Sequence, residues 1–356
     1  MNDIKFRQIA FIYLIGVSSF AAFLLPDAVS VYAGKASVWI PLLSLALSFL
    51  LAYILHRNMK QYGSLRAAVR SRFGEKGVKV FAFILLLWFG LIACFYVCAF
   101  YQRLASTTFG YVPRLVCIIS VVLCAGLFAF SPFKTVARSG SVVFIIMLLS
   151  LFLLILFSAS GVEVTSLLPV KAKSFTLFLR AFLLPLGNTG LLCLLLFFYE
   201  GQTPKLSALN LTLFGAAGVL SLFLFLIHTV FGTAFAEQLS FPFFALIKST
   251  DSLIKLEHFE SFMSGVWIVM SLCFLLALFC MMLTAWQKVT CFRAPKWALP
   301  ARLIPYGAVL LAAILVPNNR FLCAFILGTA VPLGNIILGI LPVCALSILK
   351  PSANKF

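Results

Sequence analysis

Apolar residues run almost without interruption along this chain, in blocks such as Val78 to Phe100 and Ser139 to Ala159. About ten such blocks recur, and every second connector between them is rich in Lys and Arg. A helix of ~20 apolar residues, rising ~1.5 Å per residue, crosses the ~30 Å hydrocarbon layer and satisfies its own backbone there. The pattern predicts an all-α polytopic membrane protein with spans near 9–31, 36–56, 78–106, 112–130, 139–159, 177–199, 206–230, 261–285, 302–316 and 322–349. The connectors leave no room for a second fold, so residues 1–356 read as one transmembrane domain. Such a chain carries or senses a solute, conducts ions, or does chemistry inside the bilayer.

Two spans depart from uniform hydrophobicity in corresponding places. The first reads Gly16-Val17-Ser18-Ser19-Phe20 with Pro26 and Asp27 at its far end, and the sixth reads Pro185-Leu186-Gly187-Asn188-Thr189-Gly190. Proline removes a backbone donor and glycine loosens the helix. Unwound turns five helices apart mark transporters built from an inverted five-helix repeat, whose half-helix ends converge on substrate. This predicts a first repeat over about 9–159, a second over about 177–316, and a two-helix remainder within 302–349, with helices 1 and 6 broken. Packing notches are the competing explanation, since small residues also let membrane helices approach closely. Freed amides suit a carboxylate and freed carbonyls an ammonium. The candidate binding residues are therefore Gly16, Ser18, Ser19, Gly187, Asn188 and Thr189, with Phe20 and Tyr96 to close the pocket.

Composition and charge narrow the choice. Only 10% of residues are charged, against 63% hydrophobic. The net charge of +18 suggests a nucleic-acid binder at first sight. Its distribution argues otherwise: with the N-terminus inside, two-thirds of the 27 Lys and Arg fall in connectors on that side, which predicts both termini in the cytoplasm and no nucleic-acid partner. The charged start followed by an apolar run to Leu25 is long for a cleaved signal peptide and predicts an uncleaved first helix.

The basic connector 57–79 suggests an amphipathic helix on the lipid headgroups, with a solvated loop as the plainer alternative. Segment 231–260, with Phe244, Ile247, Leu253 and Ile254, predicts a helix across the outer mouth. Asp27, Glu200 and His228 are expected at membrane interfaces, and Arg103 is expected to snorkel outward. With so little ionisable material at mid-span, a strongly proton-driven pump is disfavoured. The ten cysteines form no CxxC pair and the three histidines do not cluster, so neither metal nor cofactor is expected. Without paired acids or a Ser-His arrangement, no enzyme is expected either.

Several landmarks then fall in a telling order. Phe6-Arg7-Gln8 precedes the first span, and Gly34 with Trp39-Ile40 opens the second. Pro113 follows the stretch containing Arg103, Val136-Ala137-Arg138 opens the fifth span, and Ser166-Leu167-Leu168-Pro169-Val170 follows it. Phe241-Pro242 leads to Lys255-Leu256-Glu257 and Trp267-Ile268. In this the chain resembles the spore germination permeases, the polytopic B subunits of nutrient germinant receptors, within the amino acid/polyamine/organocation transporter superfamily. It departs from them at Leu184-Pro185-Leu186-Gly187-Asn188, where the family tends to carry an aromatic-Pro-x-Gly-acid turn. The resemblance implies a ten-helix broken-helix fold and a small nutrient ligand, most often an amino acid. It implies an A-type membrane subunit and a C-type lipoprotein as partners, in the inner spore membrane or cell membrane of an endospore former. Lys255 and Glu257 become candidates for a gate or subunit contact. The alternative function on the same fold is secondary transport of amino acids or related amines.

Overall fold

The computed structural model describes residues 5–23, 25–107, 112–129, 133–168, 170, 173–239, 241–254, 259–290 and 298–348. Among them every regular element is helical. The chain runs through α1 (Phe6–Phe23), α2 (Leu25–Ala33), α3 (Leu45–Tyr62), α4 (Leu65–Thr107), α5 (Arg114–Ala129) and α6 (Phe133–Ser158). It continues through α7 (Phe175–Phe197), α8 (Leu206–Phe231), α9 (Pro242–Ile254), α10 (Phe259–Thr290), α11 (Ala298–Leu315) and α12 (Arg320–Ile348). Seven of the described helices are long and apolar enough to cross a membrane, and three shorter apolar helices accompany them.

Local chemistry sets several boundaries. Ser174 caps α7 by accepting a hydrogen bond from the Leu177 amide at 3.3 Å, and Asn319 caps α12 through the Leu322 amide at 3.1 Å. Gly63, at φ 78°, ends α3 in the left-handed region that side chains avoid. Gly74, at φ 65° and ψ −171°, bends α4. Before the bend, residues 65–73 form the amphipathic connector helix: Leu65, Ala68 and Val69 are buried while Arg70 and Phe73 face outward.

Burial ranks the helices from centre to rim. In α7 and α10 the most apolar window is 72% buried, whereas in α6 it is 28% buried. Ile145, Phe152 and Leu156 of α6 accordingly point out of the bundle, as side chains facing lipid do. Helix α10 packs against α1, α4, α5 and α6, so it is the post around which the bundle is built.

The expected breaks are absent at the expected places. Helix α1 continues through Gly16–Phe20 to Phe23, and α7 continues through Pro185–Gly190 to Phe197. The glycines of α7 serve packing instead. A Cβ on Gly187 would lie 2.5 Å from the Pro332 Cα, and one on Gly190 would lie 2.1 Å from the Asn335 carbonyl oxygen. Bare backbone therefore meets backbone between α7 and α12. Departures from α-helix lie elsewhere. A 3-10 turn (Gly34–Val38) joins the first two spans, and two π-helical stretches (Ile326–Ala330 and Ile336–Ile340) interrupt α12.

Candidate ligand site

The first helix presents two polar clusters to the bundle interior. Around Ser19 and Phe20, three rings from three helices meet edge to face. Phe20 of α1 lies 5.7 Å from Tyr96 of α4 and 5.4 Å from Phe274 of α10, and Tyr96 lies 5.5 Å from Phe274. The Tyr96 hydroxyl faces Ser19 on one side and Ser271 on the other. Ser18 is fully buried, and its hydroxyl finds no hydrogen-bond partner among the described residues. Gly16 makes room for the third ring, since a Cβ there would come within 2.4 Å of Phe274.

Seven residues beyond Tyr96, two turns along the same face of α4, lies Arg103. It is fully buried, which corrects the expectation that it snorkels outward. Its guanidinium sits 4.1 Å from the centre of the Phe244 ring and 5.8 Å from that of Phe100, in cation–π contact, and interacts electrostatically with Tyr96. Phe244 belongs to α9, the helix expected over the outer mouth. That helix is wedged into the bundle: Phe243 packs 4.4 Å from Trp267 of α10, one turn before Ser271. Lys255 and Glu257, just past α9, lie outside the described residues, as does any account of the Asp27 side chain.

The second cluster surrounds Asn188 and Thr189. Thr189 donates a hydrogen bond to Ser48 at 2.8 Å. Tyr13, Ser44, Ser48 and Asn188 line a cavity of roughly 10 Å³, room for about one water. Tyr13 precedes Phe20 by seven residues, so the two clusters stand ~10 Å apart along one face of α1. The structure thus brings Ser19, Phe20 and Tyr96 together, and Asn188 with Thr189, but in separate places. Gly187 faces Pro332 of α12.

Sequence reasoning missed Ser271 and Phe274, which sit in a featureless apolar run, and Tyr13, which nothing local distinguishes. Two further polar residues are placed differently from one another. His228 is fully buried, its Nε2 at 2.9 Å from Ser30 Oγ and 2.8 Å from Ser37 Oγ, so it ties α8 to the first-span junction. The Glu200 side chain is about one-third exposed, paired with Arg66 and, at 3.8 Å, with Lys288.

These features define a class: a polytopic helical protein whose helices are long and apolar enough to cross a membrane, with hydroxyls and a cation buried against aromatic rings inside the bundle. Comparison with known families makes this specific. The chain belongs to the family described as spore germination protein, whose model matches residues 3–321, nearly its whole length. Among curated proteins none matches the chain.

Proposed function

We propose that this protein is the nutrient-sensing, permease-like subunit of a spore germinant receptor, and that it takes an amino acid at the Ser19–Phe20–Tyr96–Phe274 cluster. Family membership supports the germination role. The observation that carries the site is the packing of the Phe20, Tyr96 and Phe274 rings beside Ser19 and Ser271, with the hydroxyl of the adjacent Ser18 buried and without a partner among the described residues. A polar group withdrawn from water without a partner costs ~1–3 kcal/mol, a cost that ligand groups arriving at the site remove. The hydroxyls match the ammonium and carboxylate of an amino acid, and the buried guanidinium of Arg103 anchors the carboxylate end electrostatically.

In this reading the rings of Phe20, Tyr96 and Phe274 hold the site shut, and ligand binding requires Phe274 to swing from its seat over Gly16. The ligand then favours whichever arrangement of α1 and α10 it binds more tightly, and only that difference in affinity produces a signal. Helix α9 is the roof, because Phe244 and Phe243 bear directly on Arg103 and Trp267. The three shorter helices also cross the membrane, giving ten spans with cytoplasmic termini in the spore's inner membrane. The signal passes to an A-type membrane subunit and a C-type lipoprotein.

The test is a panel of labelled amino acids and their decarboxylated amines, offered to the purified protein and to proteoliposomes. Binding of an amino acid, loss of binding on decarboxylation, and no accumulation are the expected results. Accumulation driven by an ion gradient would make the protein a secondary transporter instead.

A further inference from the structure

Away from the ligand cluster, α4, α10 and α11 enclose a groove of about 460 Å³. Along α4 its wall is formed by Phe83, Leu87, Gly90, Leu91 and Cys94, spaced at helical intervals on one face. From Phe83 to Phe95 the groove runs ~18 Å at ~1.5 Å per residue, so it is long and narrow rather than round. Phe83, Leu87 and Leu91, and Ile304 on the facing helix, are exposed on the bundle's outer surface, so the groove opens sideways toward the hydrocarbon of the bilayer.

An aromatic ring and a pair of cations stand at one end of it. The indole N–H of Trp286, which lines the groove near the end of α10, is buried and has no hydrogen-bond partner among the described residues. Beyond Phe83 the same face of α4 continues outward through Lys79 and Lys76, one and two turns away, and both are exposed. The neighbouring Glu75 is held by Arg70, so it does not neutralise this pair. Phe73 is exposed at the Gly74 bend beside them, where the connector helix turns away.

We infer that this groove is a binding site for one anionic phospholipid of the surrounding bilayer. An acyl chain lies along Phe83 to Phe95 beside the Trp286 indole, and Lys79 and Lys76 hold the phosphate. The shape and apolar lining fit an alkyl chain, and the charge at the mouth selects an acidic headgroup. A lipid held between α4 and α10 touches the two helices that carry Tyr96 and Phe274, yet the inference does not depend on the ligand reading.

The experiment uses the full-length purified protein, stripped of lipid in detergent. It is titrated with dioleoylphosphatidylglycerol or dioleoylphosphatidylcholine, and retained lipids are counted by native mass spectrometry. The expected result is one tightly held phosphatidylglycerol, preferred over phosphatidylcholine by roughly 25-fold, at about fivefold for each lysine. The double variant Lys76→Gln, Lys79→Gln loses that preference and still retains one lipid of either kind. Gly90→Phe fills the groove from one wall, where a Cβ meets only Met282 at 3.5 Å, and Ala308→Phe fills it from the other. Each lowers tight retention at least tenfold, and helical circular dichroism reports whether each has folded. Undiminished retention in either folded variant, or no headgroup preference in the native chain, overturns the inference.

Discussion

Replacing Gly190 by alanine tests the contact on which the inner wall of the bundle rests. The added Cβ would lie 2.1 Å from the Asn335 carbonyl oxygen and 2.5 Å from its carbon, both backbone atoms of α12. The contact is reciprocal, because a Cβ on Gly339 would lie 2.4 Å from the Gly190 oxygen. No rotamer change relieves either clash, so α7 and α12 must part locally by more than about 1 Å. Overpacking costs ~1–3 kcal/mol, and a clash of backbone with backbone belongs at the upper end. Gly→Ala inside a helix returns up to ~1 kcal/mol of propensity, which leaves a net loss of about 2 kcal/mol. Gly218→Ala in α8 is the control: nothing lies within 4 Å of its added Cβ, so the propensity gain stands alone. The assay is unfolding of the purified protein in mixed micelles titrated with sodium dodecyl sulfate, followed by helical circular dichroism. Equal stability of the two variants would show that α7 and α12 do not meet backbone to backbone, and the packing account of the sixth span would fall.

The remaining predictions concern side chains. Gly16→Ala drives its Cβ into the Phe274 ring rather than into backbone, so the ring moves and stability changes by less than about 1 kcal/mol. Ligand affinity, measured by equilibrium binding, shifts at least threefold. His228→Phe removes the group shared by Ser30 and Ser37 and leaves two buried hydroxyls unpaired, costing about 2–4 kcal/mol in the same detergent titration. A loss below 0.5 kcal/mol, on the scale of an ordinary surface substitution, would refute that role. Glu200→Gln disrupts pairs that are a quarter to a third exposed, so it costs no more than ~1 kcal/mol, and the cost shrinks as salt is added. An effect insensitive to salt would show that the cluster is shielded from solvent.

How far the sequence reveals this molecule depends on whether its physics is local. Hydrophobic length is local, which is why the apolar blocks at 206–230 and 261–285 correspond to α8 and α10, and why Phe244 and Ile247 announce helix α9. The meaning of Pro185-Leu186-Gly187-Asn188-Thr189-Gly190 is not local. Glycine serves an unwound turn and a close helix contact equally well, and only the position of Pro332 and Asn335 decides between them. Ser18 and Ser19 stand out in the sequence because hydroxyls are scarce in an apolar run. Phe274 is one of 39 phenylalanines, and its seat over Gly16 becomes visible only when α1 and α10 are placed together. Arg103 was misjudged for the same reason: a cation near a span end reaches for water unless a neighbouring helix covers it, and Phe244 of α9 does so.

The most direct test of the account is to find where the ligand lies. A photoreactive analogue of whichever amino acid binds is crosslinked to the reconstituted protein, and the labelled peptides are mapped by mass spectrometry. The account predicts labels on α1 at Ser18–Phe20, on α4 at Tyr96, and on α10 between Ser271 and Phe274, all lost when unlabelled ligand competes. Competed labelling confined to Asn188 and Thr189, with none at Tyr96 or Phe274, would contradict it and move the site to the second cluster.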